Sequence, residues 1–216
     1  MTIVPASFHI PKQATLLVAT HNTGKLREIN DMLAGDGLRA VSGADAGLPE
    51  PEETGKTFEA NALLKAQAGA DFQKNYIVLA DDSGMEVDVL DGAPGIYSAR
   101  WGGEHKDFDL AMQRVHDEIA LQGISPTGQT ARFVCVLALA QHGQQPLTFR
   151  GTVEGTLRFP ATGDKGFGYD PIFVPNGHDI TFAQMDAKVK RDISHRAHAF
   201  RLFHDYILSQ RLGKTS

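Results

Sequence analysis

The hydrophobic residues of the N-terminal third alternate between strand-like and helical spacings. Residues 15–20, TLLVAT, form a short β-rich run that predicts a buried strand. The next apolar residues recur at spacings of three and four, which predicts a helix over residues 24–33: Leu26, Ile29 and Leu33. Residues 34–57 are rich in Gly, Pro and acidic residues and are predicted to be mostly loop. Thr57 is then a suitable N-cap for a helix from residue 58 to about residue 70.

The middle of the chain changes to strand-like patterns on either side of an acidic sequence. Residues 76–80, YIVLA, predict a second strand, and residues 81–84, DDSG, follow it directly. Residues 85–90 alternate apolar and acidic side chains, as in a half-buried strand, and residues 91–95, DGAPG, predict a turn. The acidic sequence is therefore expected at the carboxyl end of a strand.

The C-terminal half combines two adjacent strands with two helices. Asp107 can cap a helix that has an apolar face: Phe108, Met112, Val115 and Ile119. Residues 131–140 and 146–157 predict two strands joined by a turn at residues 142–143. Ser194 can cap a final helix that presents three apolar residues to the core: Phe200, Phe203 and Ile207. Early alternation of strands and helices, followed by two adjacent strands, predicts an α/β fold with a mixed sheet.

Length and cysteine content narrow the class of protein. A chain of 216 residues suits one compact domain, or one domain divided into two lobes. Residues 1–14 are interrupted by Pro5 and Pro11 and predict a loose arm, which leaves residues 15–216 as a single domain. The single cysteine, Cys135, excludes an intramolecular disulfide and a multi-Cys zinc site.

Two kinds of partner are not expected. The N-terminal residues lack the pattern of a signal peptide, and no stretch reaches the ~20 apolar residues that a membrane span needs. The 21 basic and 26 acidic residues leave a net charge of −5, whereas nucleic-acid binding favours a basic face. We therefore expect no membrane and no nucleic-acid partner. A small anionic substrate would need a local cluster of cations or a metal ion.

A polar segment between the first strand and the first helix is a candidate phosphate-binding loop. Backbone N–H groups and the helix dipole favour an anion at such a position. The segment supplies short polar side chains, an ammonium group and a glycine: Thr20, His21, Asn22, Thr23, Gly24 and Lys25. It is not a Walker A loop, because Ala19 and Leu26 stand where that motif has Gly and Ser or Thr. A polar turn without a ligand is the alternative.

Acidic residues after the second predicted strand are candidate metal ligands. Ligands gather at the carboxyl ends of strands in open α/β sheets, which is where Asp81 and Asp82 are expected. Adjacent side chains of an extended segment point to opposite faces, so only one of the two faces a given site. Mg²⁺ relieves the repulsion between close carboxylates, and Glu52 and Glu53 are candidates for a further ligand. A plain turn at residues 81–84 stays open, because Asp, Ser and Gly favour turns.

The helix predicted after Thr57 carries a candidate cation. Asn61 and Lys65 are four residues apart and therefore share one helix face. Leu64 and Ala68 mark a neighbouring apolar face, so Lys65 could reach a site at its margin. Most helical lysines, however, reach only water.

Two downstream segments are candidates for binding a base. Residues 163–170, GDKGFGYD, present Phe167 and Tyr169 from a Gly-rich loop, and aromatic rings stack on bases. Asp170 can accept a hydrogen bond from a ring N–H; in the alternative, the aromatic rings fill the core. Residues 190–196, KRDISHR, place cations at the start of the last helix, where they oppose the dipole unless an acceptor-rich ligand binds there.

Five segments together resemble the inosine triphosphate pyrophosphatase family, the pyrophosphatases of non-standard purine nucleoside triphosphates. They are ATHNTGKLREI, EETGKTFEANALLKA, LADDSGMEVDVLDGAPGIYSARW, GFGYDPIF and ISHRAHA. They follow the order of the family and cover nearly the whole chain. Each segment is moderately specific alone, whereas five in sequence are very specific. His21 is a departure, because many members have Gly at its position.

The resemblance implies a fold, an activity and an assembly. The fold is α/β, with a long central mixed β-sheet flanked by helices and a substrate groove between two lobes. The activity is hydrolysis of ITP, dITP and XTP to the monophosphate and pyrophosphate with Mg²⁺, which cleanses the nucleotide pool. The assembly is a homodimer, and we expect it in the cytoplasm.

The resemblance also implies roles for individual residues. Residues 20–25 would hold the triphosphate, and Asp82 and Lys65 would be the catalytic residues. Asp82 would accept a proton and bind the metal, with Glu53 as a second ligand. The other substrate contacts would come from Ser83 and from a set that holds the base: Phe167, Gly168, Tyr169, Asp170, Lys190, His195 and Arg196.

The chemistry of the substrate is consistent with these roles. Lys25, Lys65 and Mg²⁺ would together offset the charge of a triphosphate in an acidic protein. Selection would rest on the 6-oxo group, which accepts a hydrogen bond where the amino group of adenine donates one. Two alternatives stay open: a Mg²⁺-dependent hydrolase of modified pyrimidine nucleotides, and a nucleotide-binding regulator without chemistry.

Overall fold

The computed structural model describes residues 8–20, 23–35, 37–49 and 51–212. Strands in this part of the chain are β1 Thr15–Val18, β2 Arg39–Ser42, β3 Ile77–Val87, β4 Thr130–Ala140, β5 Leu147–Leu157 and β6 Phe173–Pro175. Helices are α1 Thr23–Gly35, α2 Phe58–Phe72, α3 Phe108–Ala120, α4 Ala187–Ile193 and α5 His195–Leu212. None of these helices is long and apolar enough to cross a membrane.

The described strands form one sheet in the order β2-β1-β3-β4-β5-β6. β1 is parallel to β2 and to β3, with Leu16 opposite Ala40 on one side and Ile77 on the other. β5 and β6 are antiparallel, with Leu157 opposite Phe173. A sheet with both kinds of pairing confirms the predicted α/β fold with a mixed sheet.

Three helices begin at the predicted capping residues. Each cap side chain accepts a hydrogen bond from a backbone N–H in the first turn of its helix: Thr57 for α2, Asp107 for α3 and Ser194 for α5. These bonds satisfy N–H groups that have no partner within a helix. The starts of the helices are therefore encoded locally.

Two compact units divide the chain. The first comprises residues 1–82, 136–150 and 199–216, as far as they are described, and the second comprises residues 83–135 and 151–198. The first is built on buried side chains that include Leu16, Leu17, Ile29, Leu33 and Phe203. The second has its own apolar core, which includes Met85, Val115, Phe133, Phe173 and Phe182. A substrate groove between two lobes stays a prediction.

β3 corrects the prediction that a strand ends before residue 81. The strand is continuous from Ile77 to Val87 and passes through Asp81, Asp82, Ser83 and Gly84. Local propensity favours a turn there, because Asp, Ser and Gly are turn residues. Cationic and amide side chains from other elements contact both carboxylates and make their burial in a strand tolerable.

Two short strands and one short helix were not predicted from the sequence. β2 lies within residues 34–57, which were expected to be mostly loop, and it is held by parallel pairing with β1. β6 has three residues, too few for a period-2 pattern. α4 is capped by Asp186 and has Lys190 in its last turn, where the helix dipole stabilises a positive charge.

The described part of the N-terminal arm, residues 8–14, contains two buried apolar side chains. Phe8 and Ile10 are 0% and 2% exposed. The backbone N–H of Phe8 donates to the Tyr206 hydroxyl of α5 at 3.0 Å. Two buried apolar side chains therefore tie the arm to the first unit, although Pro5 and Pro11 interrupt any regular pattern.

Candidate active site

The segment after β1 contains part of the predicted phosphate loop. α1 begins at Thr23, five residues after Val18 at the end of β1, and Thr20 is almost fully buried. Gly24 is half-buried in the first turn of α1. His21 and Asn22 lie outside the described residues. The strand-to-helix connection on which the phosphate-loop prediction depends is therefore present.

Lys25 forms an ion pair with Asp81 of β3. Its Nζ lies 2.9 Å from Oδ2 of Asp81, and the Asp81 side chain is almost completely buried. The neighbouring carboxylate, Asp82, contacts different partners, so the two carboxylates serve different contacts, as expected for adjacent residues of a strand. This pair holds an ammonium group at the start of α1.

Lys65 of α2 brings two of the predicted site residues together. Its Nζ lies 2.9 Å from Oδ1 of Asp82 and 3.0 Å from Oε1 of Glu53. Glu53 precedes α2, and Asp82 comes from β3. In the structure Lys65 therefore reaches polar groups and not only water, and the two expected metal ligands share one cation.

Asn61 adds an amide to this cluster. Its Nδ2 donates to Oδ2 of Asp82 at 3.3 Å, and its Oδ1 accepts from the Gly55 N–H at 2.9 Å. Asn61 is 1% exposed. Both carboxylate oxygens of Asp82 are thus held by side chains of α2, one by Lys65 and one by Asn61.

Burial and charge act on the pKa values of this cluster. Burial raises the pKa of the Asp82 carboxyl and outweighs the opposing effect of Lys65 and Lys25. Burial lowers the pKa of Lys65, but the negative charges of Asp82, Asp81 and Glu53 outweigh it and raise the pKa above its usual value. Lys65 is therefore cationic at neutral pH, and Asp82 has the raised basicity that suits a proton acceptor.

The donor set of the cluster fits Mg²⁺. Glu53 and Asp82 offer carboxylate oxygens, which are the hard ligands that this ion prefers. Mg²⁺ in nucleotide sites is commonly held by one or two carboxylates together with substrate phosphates and water. Among the described residues there is no group of three or more His, Cys, Asp or Glu side chains that could hold a metal alone. Two carboxylates suit an ion that arrives with the substrate.

A second polar cluster lies in the other unit and contains the Gly-rich loop. Nζ of Lys190 forms an ion pair with Oδ2 of Asp170, and that oxygen also accepts from the Phe167 N–H at 2.7 Å. The same ammonium lies 5.0 Å from the centroid of the Phe167 ring. Phe167 is 40% exposed. Its ring is therefore available for stacking, and its backbone is held by Asp170.

The Gly-rich loop needs glycine where it turns. Gly166 has a φ of +76°, and a Cβ there would collide with the Asp170 carboxylate. An L-residue would be strained at this φ whatever the space around it. Gly166 therefore lets the loop close over Asp170.

Tyr169 is placed differently from the stacking ring that was expected. It is 2% exposed, and its hydroxyl donates to the carbonyl of Ser98 at 2.8 Å. Its ring packs edge-on against Phe108 with centroids 5.4 Å apart. Burial raises the pKa of the phenol well above its usual value. In this structure Tyr169 anchors the loop in the core, which is the alternative that the sequence left open.

The start of α5 carries two nearly buried polar side chains. The His195 ring stacks on Phe133 with centroids 5.0 Å apart. Nη2 of Arg196 donates to Oγ of Ser83 at 3.4 Å, and Arg196 is among the largest fully buried side chains. Ser83 directly follows Asp82 in β3. The predicted residues of the last segment are thus packed into the second unit and held there by named contacts.

Comparison with known proteins decides the family. A model of the Ham1 family matches residues 16–206. The chain belongs to the Ham1 family. The Ham1 match contains every candidate site residue, from Thr20 to Arg196, and confirms the family resemblance that the five segments predicted.

Relatives of this Ham1 chain are similar over most of their length. A dITP/XTP pyrophosphatase from Rhodospirillum centenum is 54% identical over 87% of this chain and 91% of the relative. One of the same name from Zymomonas mobilis is 50% identical over 86% of this chain and 88% of the relative. The structure of a HAM1 protein from Coxiella burnetii matches with a TM-score of 0.82 at 33% identity, over 91% of this chain and 100% of that one.

Two residues of the cluster around Asp82 have no role that the sequence of this Ham1 chain predicts. The shared face of Asn61 and Lys65 was recognised, but nothing in the sequence connected Asn61 with Asp82. Nothing in the sequence indicated that Gly55 contacts Asn61, because a single glycine beside acidic residues is typical of an ordinary loop. Both contacts join residues that are close only after the chain folds.

Proposed function

We propose that this protein hydrolyses non-standard purine nucleoside triphosphates, ITP, dITP and XTP, to the nucleoside monophosphate and pyrophosphate. The observation that carries the proposal is the Lys65 ammonium held between the Glu53 and Asp82 carboxylates. It occurs in a Ham1 family member whose relatives are named dITP/XTP pyrophosphatases. An enzyme that converts these triphosphates to monophosphates would remove them from the nucleotide pool. We propose that it acts in the cytoplasm.

The reaction we propose is attack of water at the α-phosphorus. Asp82 orients the water and accepts its proton as the water oxygen bonds to phosphorus. The bond from that phosphorus to the bridging oxygen breaks, and pyrophosphate leaves with the bonding electrons. The raised pKa of Asp82 favours the proton transfer.

Positive charge must balance the triphosphate in this acidic chain. Lys25 and Lys65 supply two ammonium groups, both already oriented by carboxylates of β3. Glu53 and Asp82 would hold Mg²⁺, which when bound would supply charge neutralisation of the leaving pyrophosphate. These residues make the phosphate end of the proposed site, together with residues 20–25.

The second cluster is assigned to the base. The exposed Phe167 ring offers a face for stacking, and Asp170 and Lys190 offer an acceptor and a donor. Arg196 or backbone N–H groups would pair with the 6-oxo group. With adenine those donors would stay unpaired, at a cost of about 1–3 kcal/mol for each group.

A substrate panel tests the proposal. ITP, dITP, XTP, GTP, ATP and modified pyrimidine triphosphates are compared with Mg²⁺, and pyrophosphate and orthophosphate are measured separately. We expect pyrophosphate release from ITP and dITP to exceed that from ATP by at least ~5-fold, and by up to ~150-fold. Comparable rates with ATP, or release of orthophosphate, would contradict the proposal. Binding of ITP without turnover would instead identify a regulator.

The assembly we propose is a homodimer that needs no nucleic-acid partner. Light scattering of the purified protein should give twice the 23.4 kDa of the chain. A mass of one chain at micromolar concentration would reject the homodimer and leave the proposed chemistry untouched.

A further inference from the structure

Asn61 is a buried amide whose position needs an explanation. It lies in the first turn of α2 and is 1% exposed, although its neighbours on the buried side of the helix include Ala62 and Ala66. A polar side chain is costly to bury unless its hydrogen bonds are made. Its backbone N–H already bonds to the carbonyl of Thr57, so the side chain is not needed to begin the helix.

The two ends of the amide have different partners, and each end suits only one of them. Oδ1 accepts from the N–H of Gly55, and Nδ2 donates to Oδ2 of Asp82. A reversed amide would set NH₂ against N–H and oxygen against a carboxylate. The orientation is therefore determined by chemistry as well as by space.

The contact with Asn61 requires that residue 55 has no side chain. A Cβ at this position would lie 2.5 Å from Oδ1 of Asn61 and 2.8 Å from Cβ of Ala60. Any side chain would therefore push the segment away from α2 and break the bond to Asn61. The acidic segment reaches the helix because residue 55 is glycine.

Asn61 and Lys65 form two bridges from one face of α2. Lys65 joins Glu53 to Oδ1 of Asp82, and Asn61 joins Gly55, two residues later, to Oδ2 of the same carboxylate. Lys65 is a flexible cation and can turn toward a phosphate. The Asn61 amide is neutral and short, so we expect it to keep its partners if the cation moves.

We propose that Asn61 is a positioning residue that joins the Glu53-Gly55 segment to Asp82, so that both carboxylates stay together while the substrate and its divalent ion bind. The inference rests on the proposed function of Asp82 and Glu53. It assigns to Asn61 no contact with substrate.

Three variants separate the two halves of the amide. Asn61→Leu keeps a similar size and removes both bonds, whereas Asn61→Asp keeps the acceptor for Gly55 and puts a negative oxygen toward Asp82. Gly55→Ala forces the segment away from Asn61 and leaves the amide in place. Gln67→Glu is the matched control, because it makes the same amide-to-acid change on an exposed position of the same helix.

Three measurements are made on the full chain. They are kcat and KM for ITP, the Kd for Mg²⁺ by isothermal titration calorimetry, and hydrogen exchange of the Gly55 amide. We expect Asn61→Leu and Gly55→Ala to lower kcat by ~10- to 100-fold, to raise the Mg²⁺ Kd by ~10-fold and to speed exchange at Gly55. We expect Asn61→Asp to lower kcat similarly but to keep the Gly55 amide protected. KM for ITP should stay within about threefold.

The outcomes distinguish this inference from the proposed function. Normal kcat and Mg²⁺ Kd in Asn61→Asp and Gly55→Ala would overturn the role of Asn61, even if Asn61→Leu failed to fold. A kcat that returns to normal when corrected for the folded fraction would also overturn it. If the wild-type protein did not hydrolyse ITP, the proposed function would fail, and the Mg²⁺ Kd and Gly55 exchange would still decide whether Asn61 holds the two carboxylates together.

Discussion

At the scale of single residues, Asp82 owes its properties to two neighbours and to burial. Lys65 and Asn61 each hold one carboxylate oxygen, and burial raises the pKa of the group. Lys25 is paired separately with Asp81, so two adjacent carboxylates of one strand have different cations. Asp82, whose pKa burial raises, is therefore our candidate for proton transfer.

Asp82→Asn should therefore abolish most turnover. The amide keeps the shape of the carboxyl but cannot accept a proton, so we expect kcat for ITP to fall by at least ~10²-fold. Asp71→Asn, an exposed carboxyl that pairs with His142, is the matched control. Steady-state pyrophosphate release measures both. Near-normal turnover in Asp82→Asn would remove this residue from the chemistry.

At the scale of elements, α2 is the helix that holds both carboxylate oxygens of Asp82. Thr57 caps it, and Asn61 and Lys65 project from one face toward β3. Glu59 in its first turn pairs with Arg150 at 2.8 Å. Burial acts to raise the pKa of Glu59, but the hydrogen bond and charge of Arg150 outweigh it and lower the pKa below its usual value.

The stability contributed by Glu59 should depend on pH. A lowered pKa in the folded state means that the charged form is stabilised, so its contribution is present above the unfolded pKa and is lost as the pH falls through the folded one. Both groups of the pair are partly exposed to solvent, which screens their charges, so Glu59→Gln should reduce the free energy of unfolding by about 0.3–1 kcal/mol at neutral pH.

Urea denaturation at about pH 7 and about pH 3 measures this effect. Wild type and Glu59→Gln should differ at the higher pH and converge at the lower one. The Arg150→Gln background is the control, because without the partner the difference at neutral pH should shrink. An equal difference at both pH values would contradict the assignment.

At the scale of the whole molecule, residues far apart in sequence complete each unit. The first unit takes up residues of the N-terminal arm, the middle of the chain and α5. Phe8 is fully buried and bonds through its backbone to Tyr206, 198 residues away. Phe8 is therefore part of the core of the first unit.

Phe8→Ala should destabilise the protein by about 3–5 kcal/mol, because it leaves a cavity in a packed core. The expected result is a Tm lower by roughly 10 °C, measured by thermal unfolding. Lys12→Ala, at an exposed position of the same arm, should change the Tm little. Equal Tm values for the two variants would show that Phe8 does not contribute to the core.

Local patterns were sufficient for much of the fold. Apolar spacing or capping residues predicted α1, α2, α3 and α5, and the caps of the last three, Thr57, Asp107 and Ser194, were confirmed. A helix turn and its cap involve residues at most four apart, so their information lies in a short stretch of sequence. The five longer segments, taken together, predicted the family, and the family match confirms it.

Only the tertiary structure decided the elements and contacts that depend on distant partners. The turn residues of Asp81 to Gly84 became a strand because Lys25, Lys65 and Asn61 satisfy the buried carboxylates. Tyr169 lies in the core, where the carbonyl of Ser98, 71 residues away, accepts a hydrogen bond from its hydroxyl. Local propensity is worth tenths of a kcal/mol per residue, whereas burying an unpaired charge costs several, so distant partners overrule it.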